Sequence, residues 1–168
     1  MSLIVSDSGP VHYLILCGAI DIIPKLYGQL VVPAPVAREL THAQTPSQVR
    51  SWALTLPQWA SLASARQTDP ATQLGLGERE AIALACEMKA TQLLVDDRLA
   101  RRVAVQRGLS ITGTVGILEK AAQKGLLELS EVLQKLVKTN FRIDPQVIRH
   151  ALEREAVRRK SSGTQGAT

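Results

Sequence analysis

The sequence predicts an α/β fold with a central, mainly parallel sheet, and three observations carry that expectation. Short apolar runs of strand length alternate with longer segments of helical periodicity, from the N-terminus to about residue 124. Gly and Pro punctuate the joints between them, as at Gly18, Gly28, Pro33 and Gly108. The chain has 168 residues, with 45% hydrophobic and 21% charged side chains, which suits one globular domain with a real core.

Each element has its own local reason. Ser2 to Asp7 (SLIVSD) reads as a short buried strand, and Ser8-Gly9-Pro10 opens a helix with Pro in its first turn and a stop at Gly18. A short helix spans about 21–27. Leu30-Val31-Val32 is the next strand, and Pro33 and Pro35 lead into a helix carrying Val36, Glu39 and Leu40. Residues 46–56 read as a helix, 59–64 as a weak strand and 66–76 as a polar, turn-rich loop. Gly77 to Ala90 is the clearest helix. Leu93-Leu94-Val95 is a strand, Asp97 caps a helix to about Gly108, and 109–112 is another strand. Residues 114–124 and 130–138 are helical, and Asp144-Pro145 opens an amphipathic helix to about Lys160. The organisation predicted is a domain over 1–140, a C-terminal helix over 141–160 and a flexible tail over 161–168.

Composition narrows the function. Aromatics are 3% of the chain, which argues against a ring-stacking platform for single-stranded nucleic acid. Cys17 and Cys86 lie in apolar stretches without CxxC spacing, so neither a disulfide framework nor a thiolate zinc site is expected. The N-terminus lacks a basic leader, and Asp21 interrupts the apolar stretch 11–23, so a cytoplasmic protein without a membrane span is expected. The net charge of +5 is unevenly spread. Residues 1–97 carry 6 Lys and Arg against 9 Asp and Glu, whereas residues 98–168 carry 14 against 6. An acidic half joined to a basic half suggests a polyanionic partner, a metal site or both, although a solvated basic helix would also produce it.

In a parallel sheet the functional cleft lies beyond the carboxyl ends of the strands. Asp7 ends the first predicted strand, Asp96 and Asp97 end LLV, Glu39 follows the second strand, and Glu78 sits in a first helical turn. Taken singly, each acid also reads as a helix cap or a first-turn residue. Taken together they converge on one sheet edge, where they would repel unless a cation neutralised them. Oxygen ligands without His or Cys select Mg²⁺ or Mn²⁺, and His12, His42 and His150 are too scattered for a zinc motif. At about 100° per residue, Glu78 falls in the arc of Ala81, Ile82, Leu84, Ala85 and Met88. Glu80 points the opposite way, beside Glu87, and is expected to be solvated. Of the adjacent pair, Asp97 is favoured as the nearer ligand, with Asp96 behind it or turned to the other side. Arg98, Arg101 and Arg102 follow directly and can steer a phosphate backbone, though each alone also reads as a surface arginine.

With SDSGP, PAPVAREL, GLGEREAIALA, LLVDDRLAR and GLSITGTVGIL in this order, the chain from Ser2 to about Leu127 resembles PIN-domain proteins, most closely the small prokaryotic VapC-like branch. The resemblance implies a Rossmann-like three-layer α/β/α fold and a metal-dependent ribonuclease acting on single-stranded RNA. Asp7, Glu39, Glu78 and Asp97 match the family's acidic quartet, and Ser8 matches a small hydroxyl position beside the first acid. Glu78 stands where many PIN proteins have Asp. A toxin role further implies a cognate antitoxin protein and a homodimer or higher homo-oligomer. Two other readings stay open. One is a PIN-like module that binds RNA or protein without cutting. The other is a receiver or phosphatase-type domain, suggested by Asp96-Asp97 but lacking a Lys near the later strand LSIT.

Overall fold

A computed structural model describes residues 2–70 and 73–163. The chain divides after Thr114 into two units. The first holds the sheet: β1 (Ser2–Ser6), β2 (Gly28–Pro33), β3 (Ala60–Ala63), β4 (Gln92–Leu94) and β5 (Ile111–Thr112). Its helices are α1 (Ser8–Leu16), α2 (Ile22–Leu26), α3 (Ala34–Leu40), α4 (Ser47–Leu54), α5 (Leu76–Glu87) and α6 (Arg98–Gln106). The second carries α7 (Thr114–Gln123), α8 (Leu129–Val137) and α9 (Pro145–Gly163). The predicted alternation is therefore present, and the weak strand over 59–64 is real.

Every strand pair is parallel, in the order β3-β2-β1-β4-β5. Crossovers in such sheets are right-handed. The run from β1 through β2 to β3 then puts α1–α4 on one face, and the return to β4 and β5 puts α5 and α6 on the other. Side chains bear this out. Val5 pairs in register with Val31 and with Leu93, so the three share a face, and they pack with Ala81, Leu84 and Ala85 of α5 and Ala100 and Ala104 of α6. Ile4 and Leu30, one residue along, point the other way and are fully buried. A strand buried on both faces needs apolar residues at successive positions, which explains the unbroken LIV of β1 and LVV of β2.

The direction of winding reverses between β1 and β4, and in open parallel sheets such a switch point is where a crevice lies at the carboxyl ends of the strands. Asp7 leaves β1 at that point, and Val95, Asp96 and Asp97 leave β4 there.

In the second unit, Ile117, Leu118 and Ala121 of α7 are buried, as are Leu129, Leu133 and Leu136 of α8. α9 packs on α8 around the fully buried Ala151. The Arg154 guanidinium donates to both Glu119 oxygens at 2.9 and 3.0 Å, and Arg159 donates to Glu128 at 2.6 Å. α9 runs to Gly163, three residues into the stretch expected to be a flexible tail. In this last turn the Ser161 and Ser162 hydroxyls donate back to the Val157 and Arg158 carbonyls. The rest of that stretch, 164–168, lies outside the described residues. Cys17 is buried and Cys86 exposed, and no disulfide joins them. No described helix is long and apolar enough to cross a membrane.

Candidate active site

The crevice is built around Asp7. Its backbone N–H donates to the Leu94 carbonyl at 2.9 Å, so sheet pairing holds it one residue past β1. Its side chain caps no N–H of α1 and is only 6% exposed. Oδ1 is buried with no hydrogen-bond partner among the described residues. An ionised carboxylate is costly in that position. Burial raises its pKa to about 7; the Ser8 backbone opposes the rise, and the charges of Glu78, Glu39 and Asp96 add to it.

Four further acids surround it, each set by its own element. Glu39 lies in the last turn of α3 and is exposed. Its carboxylate rests against Gly77 in the first turn of α5: a Cβ there would collide with Oε1 and lie 3.1 Å from Cδ. Glu78, next along α5, reaches back to accept from the N-cap Gly75 N–H at 2.9 Å, the one half of a capping box that a glycine N-cap allows. Burial raises its pKa, as do Asp97 and Glu39. Asp97 is the N-cap of α6, its Oδ1 accepting from the Ala100 N–H at 2.8 Å. Asp96 accepts from the Thr114 N–H at 2.7 Å and the Thr114 hydroxyl at 2.6 Å. Burial raises the Asp96 pKa against the pull of Thr114 and Arg101.

The predicted quartet and Asp96 thus lie within electrostatic reach of one another at one sheet edge. Asp96, not Asp97, is the acid of the pair that bears on Asp7, whereas Asp97 bears on Glu78. Ser8 opens α1 half-buried, and Arg98 and Arg102 are exposed. Arg101 instead turns inward, donating from Nη1 to the Val95 carbonyl at 2.9 Å beside Asp96.

One expectation is overturned. Glu80 is not solvated: it is 7% exposed, and its Oε1 accepts from the Ala65 N–H at 2.6 Å. Glu87 likewise accepts from the Arg66 and Gln67 N–H groups at 2.9 and 3.3 Å. A helical wheel locates the core side of α5 correctly, but it cannot register that the segment leaving β3 covers the opposite side. Sequence reasoning also missed Thr114, which holds Asp96, although its place after β5 at the start of α7 was a usable signal. It missed the glycines as well. A Cβ at Gly113 would lie 2.9 Å from Asp96 Oδ1, and one at Gly9 3.3 Å from Asp96 Oδ2.

The donors are all hard oxygens, and one of them is buried and unpartnered, which fits a divalent ion of the Mg²⁺ or Mn²⁺ class. As the side chains stand, no three His, Cys, Asp or Glu among the described residues converge closely enough to enclose an ion.

Comparison with known proteins identifies the family. The family model DUF3368, described as a PIN domain, matches residues 3–156. No curated protein matches the chain. Among solved structures, a PilT N-terminus domain protein from the archaeon Sulfolobus solfataricus P2 is similar at 14% identity and a TM-score of 0.48, over 84% of this chain and 99% of that one. PIN domains are in general nucleases that use divalent metal ions. On the match over residues 3–156, the chain belongs to the PIN-domain family.

Proposed function

We propose that the protein is a Mg²⁺- or Mn²⁺-dependent endoribonuclease that hydrolyses phosphodiester bonds in single-stranded RNA. The observation that carries this reading is the buried Asp7 carboxylate, its Oδ1 without a hydrogen-bond partner among the described residues, set among Glu39, Glu78 and Asp96. In this reading Asp7, Glu39, Glu78 and Asp97 hold the metal. The bound ion supplies a Lewis acid that activates water and offsets charge on the reacting phosphate. Asp96, held by the Thr114 N–H and hydroxyl, stands behind this set and adds to the negative charge around Asp7. The exposed Arg98 and Arg102 draw the RNA backbone toward the crevice. In this reading the Ser8 hydroxyl, at the start of α1, donates to a phosphate oxygen.

The same reading makes the protein the toxin of a toxin–antitoxin pair, with a cognate antitoxin protein and self-association as a homodimer or larger oligomer. The exposed Val147, Leu152 and Val157 of α9 offer apolar surface for such contacts. The test is incubation of the full chain with labelled single-stranded RNA. Cleavage is expected with Mg²⁺ or Mn²⁺ and not with chelator, and Asp7→Asn should lower it by at least about 100-fold with the fold intact. A second reading, a module that binds RNA or protein without cutting, is favoured by the unclosed carboxylates. RNA binding without cleavage in any metal would establish it.

A further inference from the structure

Glycine in the first turn of a helix is unfavourable on local grounds, because it has more backbone freedom to lose than any other residue. Gly77 occupies that place in α5. Its φ is not positive, so the backbone conformation does not call for glycine. It is also buried, so the absence of a side chain is not a solvent matter. What the position lacks is room, because the Glu39 carboxylate fills the space a Cβ would take: Cδ at 3.1 Å, Oε2 at 3.2 Å and Oε1 closer still. The neighbouring glycine at the N-cap differs: a Cβ at Gly75 would meet only Glu78 Oε2, at an ordinary 3.6 Å.

We propose that Gly77 is the positioning residue for Glu39, its missing side chain letting the carboxylate of α3 lie against the first turn of α5 beside Glu78. This inference rests on the metal-site reading above. It has a signature that a merely structural glycine would not produce, because Ala is the better helix former and the atoms it would displace are the far end of a flexible side chain. Stability and ion binding should therefore move in opposite directions.

The test is Mn²⁺ titration, followed by calorimetry or by the spectrum of bound Mn²⁺, on the full-length wild type, Gly77→Ala, Glu39→Gln and the double variant. Thermal unfolding without metal is measured in parallel. Gly77→Ala is expected to melt at or above the wild-type temperature and to bind Mn²⁺ at least tenfold more weakly. The double variant should bind no more weakly than Glu39→Gln alone, because both substitutions act on one carboxylate. Wild-type affinity in Gly77→Ala, or losses that multiply in the double variant, would overturn the inference while leaving the metal site standing. Absence of Mn²⁺ binding by the wild type would overturn the metal-site reading itself, and this inference with it.

Discussion

Asp7 concentrates the site's electrostatic cost in one side chain. Its pKa rises from an ordinary 3.8 to about 7, chiefly through burial. Below about pH 4 the carboxyl is protonated in both the folded and the unfolded chain, so it contributes nothing to stability. Between 4 and 7 the unfolded chain releases the proton and the folded one keeps it, so folding weakens as pH rises. Above 7 the full cost is present, about 4 kcal/mol at 1.36 kcal/mol per pH unit. Glu78 and Asp96, also raised by burial, act in the same direction. Metal-free protein should thus become more stable as pH falls from 8 to 5, as measured by denaturant unfolding. A flat profile, or one that falls toward pH 5, would contradict this. The acids themselves were legible in the sequence because an aspartate closing an apolar strand is conspicuous. Their partners were not: whether Asp96 or Asp97 faces Asp7 depends on where β4 ends, and one residue along a strand reverses the facing.

At the scale of elements, α5 connects the two flanks of the crevice. Its first turn carries Gly77 against Glu39 and Glu78 toward Asp97, and its middle and end hold the chain leaving β3 through Glu80 and Glu87. The helix was readable from its apolar periodicity, as was the strand and helix alternation that makes the parallel sheet. The segment over Glu80 was not, because residues 65–67 carry no periodic signal and their hydrogen bonds to Glu80 and Glu87 are tertiary, 15 to 21 residues apart in sequence. Glu80→Ala leaves the Ala65 N–H without its acceptor in a part-buried place, and should destabilise the protein by about 1–3 kcal/mol. Glu80→Gln keeps an acceptor oxygen and should lose less. Chemical denaturation of the two variants checks the order, and equal stability of both with the wild type would show that the bond contributes nothing.

Over the whole chain, the sequence separates charge: residues 1–97, which hold four of the five strands, carry 9 Asp and Glu against 6 Lys and Arg, and residues 98–168 carry 6 against 14. The carboxylates need a cation to offset their repulsion, and the Lys- and Arg-rich half suits a polyanion. Fold class was legible because pattern and spacing determine it, whereas the hydrogen bonds that hold each acid, such as Thr114 to Asp96, depend on tertiary contacts that no pattern encodes. The central claim is that the acids around Asp7 are arranged for a divalent ion at the expense of metal-free stability. The unfolding midpoint of wild type and Asp7→Asn at pH 8, each with chelator and with saturating Mn²⁺, tests it most directly. With chelator, Asp7→Asn should be the more stable by about 1–3 kcal/mol, since it removes a buried charge and leaves an amide with imperfect partners. With Mn²⁺ the wild type should gain stability as bound ligand requires, and the variant should not, so that the order reverses or closes. A wild type that is the more stable with chelator, or that gains no more from Mn²⁺ than Asp7→Asn does, would contradict the account.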